Sequence, residues 1–243
     1  MSFFKKIVTL SLLCCAYGFS LENSLGLKGL PQYGSSPARS LQPAFGLLFE
    51  SVGNENQQRY EAAGEFGKGP FRAGFVYDHF VLDSIYRKSY SELDLGYSYW
   101  LLLVGVGYGA SMEWIPGGDL WVRHRFKVGL AFEWRQLYVG GLLDGWFDEL
   151  TEIDFLVGGG AKVGDSFDLF FQWNGCLFDL GVGVQINQFR ISSVYQFPGF
   201  GAEFSLGFLW EGWGLDIFYG FTNESFRRFG VKVSKRFGKK TIL

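Results

Sequence analysis

The chain has 243 residues, 24 of them acidic and 22 basic, for a formal net charge of −2. Aromatic residues make up 19% of it and glycine occurs 35 times, too much aromatic surface and too little charge for an ordinary soluble domain. The charge balance offers no basic patch for nucleic acid, and beyond residue 20 no uninterrupted apolar run is long enough for a helix to span a membrane.

At the N-terminus Lys5 and Lys6 precede an apolar run, and small residues follow at Ala16, Gly18 and Ser20. That order is the pattern of a secretory signal peptide over residues 1–20, cleaved after Gly18 or Ser20. Its removal takes the formal charge to about −4 and leaves Cys176 as the single thiol, so no internal disulfide is expected. Residues 21–40, rich in Gly, Pro and Ser, read as a flexible periplasmic lead-in long enough to fold back as a partial plug.

From residue 41 to 237 the chain alternates. Phe45, Leu47 and Phe49 share one parity, and a second strand is expected over 59–66. The third carries Phe71, Ala73, Phe75 and Tyr77 on one face, the fourth Leu93, Leu95, Tyr97 and Tyr99. Parity slips between Tyr99 and Val104, which requires a tight hairpin at Trp100 and Leu101. Next come Val104 to Met112, then Phe126, Val128, Leu130 and Phe132, a strand over 137–145, and one carrying Ile153, Phe155 and Val157. The last seventy residues hold six more runs, beginning near Phe167, Phe178, Phe189, Ala202, Trp213 and Phe229. A period of two places each apolar set on one face of a strand, and mean hydropathy stays near zero because the other face is polar. Strands of about nine to eleven residues have the length that crosses a bilayer at a tilt. The expected fold is all-β: a transmembrane antiparallel up-and-down β-barrel of about fourteen strands, with twelve and sixteen open as alternatives, followed by a tail at 238–243.

Short connections at 67–70, 100–101, 135, 164–165, 187 and 211–212 alternate with longer ones at 51–58, 83–91, 115–121, 145–152 and 222–227. Bacterial barrels place short turns in the periplasm and longer loops outside, so both termini are expected to be periplasmic. The eight tryptophans fall near strand ends: Trp100, Trp134, Trp210 and Trp213 at the periplasmic rim, and Trp114, Trp121, Trp146 and Trp173 at the outer one. Indole prefers the headgroup zone, so all eight are expected at the membrane interface.

The signal peptide, dyad repeat, aromatic girdles and a closing strand ending in Arg236-Phe237 resemble a Gram-negative outer-membrane β-barrel protein. That resemblance implies outer-membrane lipid as the solvent and the barrel-assembly machinery as a partner during insertion. The stretch Ser36-Pro37-Ala38-Arg39-Ser40-Leu41 before Ala44-Phe45 resembles the opening of fatty-acid-transporter-like barrels and of small barrels associated with type IX secretion.

The opposite parity carries mixed charge. Arg125, Lys127, Glu133, Asp154, Lys162, Asp168, Asp179, Arg190, Glu203, Asp216, Lys232 and Arg236 are expected to line the lumen, with Asp94, Glu113 and Arg228 beside them. Such a lining reads as a narrow porin-like channel for small hydrophilic solutes or ions. The alternative is a non-conducting structural or docking barrel of an envelope or secretion complex, whose interior charges only pair with each other. An enzyme is not expected: the histidines, His79 and His124, point outward, and Asp78 lies on the face opposite to its neighbour His79. Cys and His show no metal-ligand spacing and the glycine runs lie inside strands, so neither cofactor nor metal is expected.

Overall fold

The computed structural model describes residues 44–237 apart from 53–56, 83–84, 119, 148–151, 165, 174, 199–200 and 222–226. The expected signal peptide at 1–20, the lead-in at 21–40 and the tail at 238–243 lie outside the described residues. The strands are β1 (Ala44–Val52), β2 (Gln57–Lys68), β3 (Phe71–Leu82), β4 (Tyr86–Tyr99), β5 (Leu102–Trp114), β6 (Trp121–Trp134) and β7 (Leu137–Phe147). They continue as β8 (Glu152–Val163), β9 (Phe167–Trp173), β10 (Phe178–Ile186), β11 (Phe189–Phe197), β12 (Gly201–Trp210), β13 (Trp213–Phe221) and β14 (Arg227–Arg236). Each pairs antiparallel with its sequence neighbours, and β1 pairs with β14 from Ala44↔Arg236 to Val52↔Arg228, closing the barrel.

Following the pairing once around the wall returns to β1 fourteen residues from the start, so the shear equals the strand number. With strands about 4.7 Å apart rising about 3.3 Å per residue, the tilt is about 35° and the backbone radius about 13 Å. Residues at one height therefore shift by one position from strand to strand, which assigns every side chain a level.

Burial is inverted relative to a soluble protein. Outward Leu93 is 69% exposed, whereas inward Glu50, Lys127 and Lys232 are at 2% or less. From Tyr99, Trp134 and Trp210 at one end to Phe197 and Phe221 at the other, the outward apolar band is about 24 Å tall, the height a bilayer core demands. This is a transmembrane β-barrel of fourteen strands, and the other strand counts fall away.

The six short connections gather at the end where β1 begins and β14 finishes. Gly69, Trp100, Arg135, Gly164, Asn187 and Glu211 each take positive φ there, which lets the hairpins, five of them with two-residue turns, follow the strand twist. Only two of these six are glycine, which is why no Asn-Gly or Gly-Gly marked the turns. At the opposite end the expected loop at 83–91 is a correction: β4 already begins at Tyr86. Its upper outward face carries Arg87, Ser89 and Ser91, so the apolar half of the alternation is missing from the sequence there. The long strands β4, β5 and β6, of 14, 13 and 14 residues, stand against a seven-residue β9. The rim therefore slopes, and its tall side rises about 16 Å above β9.

Candidate functional site

The inward face is where chemistry is available. Arg125, Lys127, Glu133, Asp154, Asp168, Asp179, Arg190, Glu203, Asp216 and Lys232 all hold inward register positions, as do Asp94, Glu113 and Arg228. Lys162 lies opposite inward Asp168 and Arg236 opposite Ala44, so both occupy lumen-side register positions.

Two charge clusters form at mid-height on adjoining arcs of the wall that meet between β3 and β4. On β4 to β7, Lys127 Nζ donates to Glu92 Oε1 at 2.7 Å, and Arg125 binds Asp144 through two nitrogens and lies 3.9 Å from Glu92. Asp94 sits one register step from Lys127, across Gly107. On the other arc Arg59 donates to Asp78 at 2.6 Å and lies 3.7 Å from Glu61, while Arg228 pairs with Glu203 and lies 3.7 Å from Glu50. These side chains fall within about 11 Å of height. Buried charge persists only when paired, and the pairs here are both short and shielded.

Large rings in the same zone lie along the wall instead of across the lumen. Phe170 rests on Gly181, Phe218 on Gly230 and Tyr90 on Gly109; a Cβ on any of these glycines would collide with the ring. Glycine is therefore required here by close approach. Because the wall stands about 13 Å from the axis, rings held flat against it leave the centre to smaller and charged groups.

Trp146 corrects the girdle expectation. It pairs with inward Arg125, its ring is 5.8 Å from Tyr90, and Arg125, Arg123 and Lys88 lie 5.0, 5.1 and 5.4 Å from its centroid. The expected loop at 145–152 hid this, because β7 runs on to Phe147 and keeps Trp146 on the parity of Asp144. Trp121 pairs with inward Glu113 and so belongs to the lumen side of the tall rim as well. Trp100, Trp134, Trp210 and Trp213 do sit at the turn end, with Trp114 and Trp173 at the other. Trp114 lies well above the apolar band, and Arg87 stacks on it at 5.4 Å.

The expected lumen lining left out Glu50, Arg59, Glu61, Asp78, Glu92 and Asp144, although Asp78 was already placed opposite outward His79. Parity alone would have found Glu50, next to outward Phe49; Glu92 needed the true start of β4. Elsewhere, His79 Nδ1 is 2.9 Å from Ser89 Oγ and His124 Nδ1 is 2.8 Å from the Tyr108 hydroxyl, both pairs on the outward face. Neither faces the lumen carboxylates. Among the described residues no group of His, Cys, Asp and Glu is arranged to hold a metal ion. Cys176 is exposed.

No protein-family model and no curated protein matches the sequence. Solved structures do. A multiply substituted porin of Rhodopseudomonas blastica aligns at 9% identity and TM-score 0.50, over 82% of this chain and 99% of that one. A chain described as the CymD monoaromatic hydrocarbon channel aligns at 12% identity and TM-score 0.56, over 84% of this chain and 91% of that one. At such identities the likeness is one of fold.

Proposed function

We propose that the chain is an outer-membrane channel for small hydrophilic solutes or ions, with both termini on the periplasmic side. The observation that carries this reading is a closed, inside-out barrel whose interior is charged at mid-height while its large rings are held against the wall. Polar, ionised walls lower the cost of moving a hydrated solute through a low-dielectric layer. Both solved neighbours share the fold and are described by their names as a porin and a hydrocarbon channel. An interior crossed by Lys127, Arg125, Glu92 and Asp144 suits a polar cargo better than a hydrocarbon. The short hairpins beside the chain ends support periplasmic termini, because such barrels turn tightly on that side. Outer-membrane lipid around the band and the barrel-assembly machinery during insertion complete the expected partners.

One observation favours the second reading, a silent docking barrel: Leu48, Glu50, Lys127, Phe218 and Lys232 at mid-height are almost fully shielded. Planar-bilayer recording separates the two. The channel reading expects unit conductance steps from purified protein, altered in Asp216→Asn. A folded barrel that inserts and never conducts refutes it in favour of the docking barrel.

A further inference from the structure

We infer that the lumen passes cations in preference to anions, through an acid-rich belt at mid-height; this rests on the channel reading above. The belt is asymmetric in its pairing. Arg59, Arg125, Lys127 and Arg228 each lie within ion-pair distance of one or more carboxylates. Among the described residues Asp94, Asp154 and Asp179 have no such base. Asp154 is exposed to the lumen, and Asp94 is half-exposed with one buried oxygen lacking a hydrogen-bond donor. Asp179 is 4% exposed; Gln172 donates to its Oδ2 at 3.2 Å, and its Oδ1 receives no donor.

Glu50 shares its one base, Arg228, with Glu203. It is wholly buried, neither of its oxygens has a hydrogen-bond partner, and its nearest base is Arg228 at 3.7 Å. Lys232 adds one base at this level and does not restore the balance. Toward the tall rim, by contrast, Glu113 and Glu152 are matched with Lys88 and Arg123. Among the described residues carboxylates therefore outnumber bases in the belt and match them above it. In a narrow lumen with low-dielectric walls, a local excess of carboxylates attracts cations and raises the barrier to anions.

The test is the reversal potential of the full-length protein in planar bilayers under a potassium chloride gradient. The expected result is potassium permeability several-fold above chloride. Asp94→Asn with Asp154→Asn and Asp179→Asn should bring the ratio close to unity with conductance steps retained. Arg87→Gln, a charge change on the outward face, should leave the ratio unchanged. A wild-type preference for chloride, or a ratio that the triple variant does not move, overturns the inference while the channel reading stands. Absence of steps from wild-type protein that inserts as a barrel overturns both. Should the triple variant not fold, Asp154→Asn alone, at an exposed position, is expected to lower the ratio, and an unchanged ratio counts against the belt.

Discussion

Replacing Lys127 with methionine is the sharpest probe of the interior. Lys127 Nζ lies 2.7 Å from Glu92, both side chains are 1% exposed, and Asp94 is one register step away. Methionine preserves much of the volume, so packing changes little and the loss is electrostatic. Glu92 is left with the Tyr90 hydroxyl and with Arg125, which is 3.9 Å away and already committed to Asp144. Stranding one member of a buried pair costs about 3–5 kcal/mol, a large share of the stability of a typical domain. Removing both charges, in Lys127→Met with Glu92→Gln, removes the stranded carboxylate and should recover about half or more of that loss. Urea titration of protein folded into lipid vesicles, followed by tryptophan fluorescence, measures all four corners of the cycle. A single-variant loss below about 1 kcal/mol would refute the reasoning, because it falls in the range of exposed pairs. So would single losses that simply add in the double variant.

Four further outcomes follow from the wall. Gly181→Ala drives a methyl group into Phe170 and should cost about 1–3 kcal/mol in the same titration, with Phe170→Ala recovering much of it. Val128→Arg places a cation at mid-height of the outward band and should cost about 2–4 kcal/mol, whereas a solvent-facing valine would tolerate it. Gly46→Cys with Ser234→Cys, in a Cys176→Ser background, should form a disulfide on oxidation, seen as a gel shift, because these positions are register partners across the seam. Brominated lipids should quench fluorescence less in Trp134→Phe than in the wild type, while Trp146→Phe should not reduce the quenching; equal effects would return Trp146 to the membrane face.

The alternation of period two, recurring from Phe45 to Phe237 and broken where strands leave the apolar band, made the fold legible. In a barrel the outward residues must be apolar on every strand, and that regularity survives any detail of the lumen. The interior was legible only where both parities were clear. On β11 to β14 the large outward residues flank Arg190, Glu203, Asp216 and Lys232, and the inward set can be read directly. On the tall side the strands leave the apolar band, so the outward half loses its greasy residues: Ser89 and Arg87 replace them on β4, and His124 does on β6. Parity cannot be followed there, which concealed Glu92 and misplaced Trp146. The pairing of charges between strands far apart in sequence was beyond any one-dimensional pattern. Arg228 reaches Glu50 on one side and Glu203 on the other because closure brings β1 and β12 to either side of it.

The seam has a kinetic consequence. β14 pairs with β1 on one side and with β13 on the other, so the first strand has no second partner until the final one is in place. Until then the nascent sheet presents two bare edges inside a hydrocarbon layer that offers them nothing to bond with. A polypeptide ending before residue 227 would keep those edges for good, open to pairing with any other extended segment. Whatever guides insertion must therefore shelter both margins at once and release them together.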